Sequence, residues 1–305
     1  METFPSGQQW TIRHGDQEAV VVEVGGGLRS YRRGQRDVLA GYGDGEQARK
    51  GRGQLLMPWP NRLRDGQYSF QGTEHQLALS EPEHHNAIHG LVRWALWRLV
   101  EQEESRVTVG HWLHPQQGWA GQLEIRVTYT LADDGRTVDT TVTNTGTSSA
   151  PFGYGAHPYL ASGETPLDSV QLQVPARTEL LVDDRLIPSG QRPVEEGEHD
   201  FRRPRAVASA DIDAGFTDLE RDDDGRWRVV LSGLDAAPPV SLWADKAFGY
   251  TQVFTQLAAE AGVNGLRGIA VEPMSCPADA FNSGAGLVVL EPGDSWRGTW
   301  GVSEG

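Results

Sequence analysis

Apolar and polar residues alternate with a period of two over residues 123–131, where Leu123, Ile125, Val127 and Tyr129 are separated by polar or charged neighbours. Asp133-Asp134-Gly135 follows, and Val138, Thr140, Val142 and Asn144 resume the same period. Successive side chains of a strand point to opposite faces, so the pattern predicts an antiparallel hairpin of 123–131 with 136–144, packed on one face and wet on the other. The same logic predicts a hairpin turn at Asp222-Asp223-Asp224-Gly225, with a strand over 227–231. Short apolar runs bounded by Gly, Pro, Asp or Ser predict strands at 19–24, 106–113, 170–174, 240–243, 268–271 and 287–290. Only short helices fit, such as 256–261.

Many short strands at close spacing predict a large sandwich or barrel, not a parallel sheet with crossover helices. With no low-complexity linker and no fixed-period repeat, residues 1–305 are expected to form a single all-β domain. The 37 glycines and 17 prolines suit a turn-rich chain, and 38% apolar with 23% charged residues permits a real core. No apolar run is long enough to span a bilayer, and the N-terminus lacks the basic start and apolar centre of a secretory signal. Lys and Arg number 27 against 42 Asp and Glu, a net charge of -15 that repels polyphosphate and anionic lipid, so neither nucleic acid nor membrane is an expected partner. The single cysteine, Cys276, excludes an internal disulfide and a cysteine-based zinc site, and a cytoplasmic location is the simplest expectation. The chemistry to look for is that of a small-molecule ligand.

Several motifs dissolve on inspection. Gly25-Gly26-Gly27 is not followed by a helix with G-x-G-x-x-G spacing and reads as a turn between strands. The Asp222–Gly225 run lacks the alternating ligands of a calcium loop. His84, His85 and His89 could ligate a metal from a helix, but Pro82 and Asn86-Ala87-Ile88 give little helical support, so no metal is expected. Most of the ten tryptophans belong in a core, with one or two suited to stacking on a sugar.

Four segments combine titratable residues with glycine and proline in a way that packing alone does not require. They are Pro58-Trp59-Pro60-Asn61-Arg62-Leu63-Arg64-Asp65-Gly66, Asn86-Ala87-Ile88-His89-Gly90-Leu91-Val92-Arg93-Trp94, Gly153-Tyr154-Gly155-Ala156-His157-Pro158-Tyr159, and 270–282 with Glu272-Pro273 and Pro277-Ala278-Asp279-Ala280-Phe281-Asn282. Asn61 and Arg62 supply donors to hydroxyl groups, and Glu272 ends an apolar strand, where a carboxylate is costly unless paired or used.

Together and in this order, the segments resemble the aldose 1-epimerase (galactose mutarotase) family, in its bacterial branch, from about Gly25 to Trp300. The resemblance implies a galactose mutarotase-like β-supersandwich with an open sugar-binding cleft, no metal and no organic cofactor. It implies Glu272 as general base, His157 as general acid and His89 as a second histidine at the ring. Asn61, Arg62, Asp213 and Gln252 would bind sugar hydroxyls. The family often has histidine after that aspartate where this chain has Ala214, and Asp211 and Asp218 lie close enough in sequence to compete with Asp213.

Opening an aldose ring removes the proton from the C1 hydroxyl while a proton reaches the ring oxygen, and closure on the other carbonyl face inverts the anomer. A carboxylate and an imidazolium suffice, and a neighbouring carboxylate, Glu272 or Asp213, is expected to hold His157 in its charged form. The expected activity is therefore interconversion of the α and β anomers of a free aldose of the glucose or galactose type. A glycosidase using Asp213 and Glu272, and a catalytically silent sugar-binding protein, are the alternatives from other classes. Arg62, Arg64 and Arg93 could instead serve a phosphorylated or sulfonated sugar, and the oligomeric state stays open.

Overall fold

A computed structural model describes residues 4–207, 212–234, 237–255 and 268–304. The predicted alternation is realised in the hairpin Leu123–Ala132 with Gly135–Asn144, whose inward positions, Leu123, Ile125, Val127, Tyr129, Val138 and Val142, are all buried. Its register pairs Ala132 with Gly135 and Leu123 with Asn144. Gly135 has a φ of +119°, a backbone geometry that a side chain disfavours.

This hairpin is the middle of a nine-stranded antiparallel sheet that includes Arg98–Gln102, Arg106–Leu113, Ser295–Glu304, Val240–Ala244 and Trp227–Ser232. A second, twelve-stranded sheet carries Gln9–His14, Gln17–Val22, Leu28–Arg33, Arg36–Leu39, Tyr159–Ala161, Gly268–Met274, Tyr250–Phe254, Asp213–Leu219, Ala176–Val182 and Pro188–Pro193, in that spatial order. Apolar residues of both sheets, among them Ile12, Val21, Tyr31, Val253 and Val271 on one side and Val109, Val127, Val229 and Trp300 on the other, meet in one core. The all-β sandwich is thus the observed architecture. No helix among the described residues is long and apolar enough to cross a membrane.

Strands occupy every described region where alternation predicts them, with ends shifted by a few residues. Two expectations need comment. The predicted helix at 256–261 lies outside the described residues, whereas Ala280–Ser283 forms a short helix that the pattern does not announce. Asp222–Gly225 is a turn, closed by Gly225 N–H to Asp222 and Asp222 N–H to Arg226, but it joins no hairpin. Asp213–Leu219 before it belongs to the twelve-stranded sheet and Trp227–Ser232 after it to the nine-stranded one, because Trp227, Val229 and Leu231 face the core from the opposite side. The turn's carboxylates are bridged by Arg228, which holds both Asp222 and Asp224.

Candidate active site

Three neighbouring strands fix one wall of a cleft of about 470 Å³. In the antiparallel register Gln252 lies directly opposite Glu272 on one side and opposite Gly215 on the other, and Asp213, two residues before Gly215, lies opposite Phe254. The small Gly215 leaves room for the Gln252 side chain, whose Nε2 donates to Asp213 Oδ1 at 2.6 Å.

His157 forms the floor. Its backbone N–H donates to the Gln54 carbonyl at 3.0 Å, and its own carbonyl accepts from Gly53 N–H at 2.9 Å. The imidazole stacks on Tyr159 with ring centres 5.1 Å apart, meets His89 edge-on at 5.6 Å, and places Nε2 3.3 Å from Glu272 Oε1. Gly51 closes the seat: a Cβ there would fall 2.3 Å from His157 Cδ2, and its φ is +77°.

The opposite wall comes from the first two polar segments, which pair with each other. Arg62–Arg64 and Asn86–Ile88 form a two-stranded ribbon in which Arg62 faces Ile88. Asn61 and His89, both at positive φ, follow on from that ribbon, and Asn61 N–H donates to His89 Nδ1 at 3.2 Å. That bond leaves Nε2 as the protonated nitrogen of a neutral His89. Arg62 is held in bidentate fashion by Glu81, with nitrogen–oxygen distances of 2.8 and 2.9 Å.

All seven residues picked out from the sequence, Asn61, Arg62, His89, His157, Asp213, Gln252 and Glu272, line this one cleft. Asp218 does not; it accepts from Thr178 Oγ1 on the far side of its strand, and Asp211 lies outside the described residues. Arg64 turns towards Asp279, while Arg93 lines the cleft. Asp279 and Asn282, despite their place in the fourth segment, are scaffold: Asp279 accepts from Arg64 N–H and Asn282, and Phe281 packs edge-on to Trp59 and Tyr68. Of the three clustered histidines, His84 lines the cleft beside Glu81, His85 turns away to Asp65 and His89 lines the cleft next to His157. Of the tryptophans, Trp94 is 51% exposed at the cleft, whereas Trp59, Trp97, Trp119, Trp227 and Trp300 are core.

Sequence reasoning missed Glu81 and Gly51. Glu81 precedes a short 3-10 turn at Pro82–His84 with nothing local to mark it as the partner of Arg62. The doublet Gly51-Arg52-Gly53 was a visible signal of tight backbone approach.

The electrostatics reverse one expectation. Burial pushes the Glu272 carboxyl well above its ordinary value, with Asp213 acting in the same direction and Arg62 against it. Burial likewise pushes His157 down to about 3, helped by the positive charge of Arg93. The carboxylate expected to keep His157 charged is indeed adjacent, but removal of both groups from water outweighs their attraction. Both shifts favour the uncharged forms, a neutral imidazole beside a protonated carboxyl. His89 is also driven well below its ordinary value, by burial first, with the positive charges of Arg93 and Arg62 acting in the same direction.

An antiparallel sandwich with a polar cleft, floored by a carboxyl against an imidazole and walled by amides and guanidinium groups, presents acid–base and hydrogen-bonding groups of the kind that engage a polar small molecule. The chain belongs to the aldose 1-epimerase family, whose model matches residues 8–303. It is 34% identical over 293 residues to the uncharacterized protein YihR of Escherichia coli K12, covering 96% of this chain and 92% of that one. It is 29% identical over 182 residues to human galactose mutarotase, covering 55% and 51% of the two chains. Among solved structures it is similar to a putative aldose 1-epimerase from Escherichia coli K12, with a TM-score of 0.80, 20% identity and 97% and 98% coverage. Galactose 1-epimerase from Lactobacillus acidophilus NCFM gives a TM-score of 0.78 at 19% identity, with 97% and 94% coverage.

Proposed function

We propose that the protein interconverts the α and β anomers of a free aldose, with Glu272 and His157 as the acid–base pair. The observation that carries this reading is the 3.3 Å approach of His157 Nε2 to Glu272 Oε1 beside His89, in the cleft that also gathers Asn61, Arg62, Asp213 and Gln252.

Ring opening consumes one proton at the ring oxygen and releases one from the C1 hydroxyl. A pair that shares a single proton has the right count, because one member is then an acid and the other a base. Transfer of that proton from Glu272 to His157 across the 3.3 Å gap arms the site. Glu272 then takes the C1 hydroxyl proton while His157 protonates the ring oxygen. Rotation about C1–C2 presents the other carbonyl face, and the reverse transfers close the ring. Asn61, Arg62, Asp213 and Gln252 hold the remaining hydroxyls through this cycle.

The test is polarimetry or proton NMR on freshly dissolved α-glucose and α-galactose. The expected result is an accelerated approach to anomeric equilibrium that Glu272→Gln lowers by about 10²–10⁴-fold. Unaltered mutarotation in Glu272→Gln would overturn the assignment. A second reading is favoured by Arg93, which lines the cleft and makes no ion pair among the described residues, its guanidinium lying 5.7 Å from the Trp94 ring centre. An aldose bearing a phosphate or sulfonate group would satisfy it. Preference for glucose 6-phosphate over glucose, abolished by Arg93→Gln, is the corresponding outcome.

A further inference from the structure

A larger cavity, of about 770 Å³, lies behind the backbone that seats His157. Lys50, Gly51 and Gln54 face the sugar cleft, whereas Arg52, from the same segment, lines this second cavity together with Arg29, Tyr42 and Ser30. We propose that it is a second binding site, specific for the phosphate group of a small phosphorylated metabolite held between Arg29 and Arg52.

The two guanidinium groups are anchored through neighbouring carbonyls of one loop. Arg52 Nη1 donates to Gly41 at 2.8 Å and Arg29 Nη1 to Tyr42 at 3.2 Å. Gly41 is required there, since a Cβ would fall 2.2 Å from the Arg29 carbonyl oxygen. Arg52 is only 8% exposed, and the Nε of each arginine is buried without a hydrogen-bond partner.

Neither arginine has a carboxylate within ion-pair distance among the described residues, in a chain with 42 acidic residues against 27 lysines and arginines. The acids that share the lining are otherwise placed. Glu18 is taken by Arg13 and Arg32, both at 2.7 Å, and Glu46 accepts Gly43 N–H at 2.8 Å and acts on Arg52 only from outside ion-pair distance. A largely buried guanidinium without a directly paired carboxylate is costly, and two of them fixed on one loop form a pre-organised fork for a doubly charged tetrahedral anion. The Tyr42 hydroxyl, kept protonated by burial that pushes its pKa up to about 12, and the Ser30 hydroxyl add donors. The volume exceeds that of the anion alone and leaves room for the body of a metabolite.

The test is calorimetric titration of the full chain with inorganic phosphate. Saturable binding at one site is expected, weakened at least about tenfold, or 1.4 kcal/mol, in Arg29→Gln and unchanged in Arg93→Gln. Arg29 is only half-buried, so its variant is the primary one, with thermal unfolding confirming the fold. Absence of saturable binding, or equal affinity in Arg29→Gln, overturns the proposal. Loss in Arg93→Gln with retention in Arg29→Gln places the anion in the sugar cleft and overturns it equally. Succinate is expected to bind more weakly than phosphate, and the reverse order overturns the choice of phosphate.

Discussion

Gln252 and Glu272 stand directly opposite each other on adjacent antiparallel strands, and Gln252 in turn donates to Asp213 on the next strand. A proposed hydroxyl-binding pair and the proposed base are therefore set by one sheet register. A slip of one residue would turn each of them to the other face of the sheet, so register here is a condition for the chemistry as well as for packing.

Gly51 is expected to be intolerant of even one added methyl. At a φ of +77°, with the notional Cβ 2.3 Å from His157 Cδ2, Gly51→Ala must displace the imidazole or the segment that holds it. The expected outcome is a fall in kcat of at least about tenfold with a smaller change in KM, because a misplaced acid–base group weakens the transition state more than substrate binding. Mutarotation kinetics with parallel circular dichroism check this, and a change confined to KM would refute the role assigned to Gly51.

Glu81 acts through Arg62. Removing one charge from the largely buried fork by Glu81→Gln leaves the guanidinium with a weaker acceptor and freer to rotate. Loss of about 1–3 kcal/mol in stability is expected, with KM raised more than kcat is lowered. Chemical denaturation and steady-state kinetics on the same variant separate the two effects.

The strand alternation made the sandwich legible, and the order of the four polar segments made the cleft residues legible. What stayed hidden was long-range. Nothing near Asp279 or Asn282 says that they serve as scaffold for Arg64 and Gln67, because those partners lie 215 residues away in sequence. Nor does local sequence reveal that both Glu272 and His157 end up almost wholly buried, at 3% and 5% exposure. Spacing identified the pair, but the depth at which it sits, and so the direction of both pKa shifts, is a property of the assembled sheets.

Stability is expected to fall in acid partly through His157. Its folded pKa of about 3 lies below the ordinary 6.5, so between those values the unfolded chain binds a proton that the folded chain refuses. The contribution is fully present above about pH 6.5 and is lost as pH falls towards 3, with a slope of at most about 1.4 kcal/mol per pH unit. Denaturant titrations across this window should show a shallower acid limb for His157→Asn than for the parent chain. Glu272 works in the opposite sense: its raised pKa stabilises the fold at low pH, and this is lost as pH rises through the raised value. Glu272→Gln should accordingly be relatively more stable at alkaline pH.

Arg136 presents the sharpest conflict between position and chemistry. The period of two that places Val138, Thr140 and Val142 inward also carries Arg136 inward, where it is 1% exposed. Burial pushes its pKa down to about 10, so it remains charged at neutral pH. None of its three nitrogens has a side-chain or backbone acceptor among the described residues; its guanidinium lies 4.6 Å from the Trp300 ring centre and 5.6 Å from that of Tyr31. Cation–π attraction of about 2 kcal/mol offsets only part of the several kcal/mol lost on leaving water. Arg136→Met keeps much of the length and removes the charge, so it is expected to leave the protein as stable as before or up to roughly 2 kcal/mol more so. Arg136→Ala should cost about 2–4 kcal/mol through the cavity it opens. Thermal unfolding of the two variants decides the matter: a methionine variant as unstable as the alanine one would mean that the guanidinium itself, and not its bulk, holds the two sheets together.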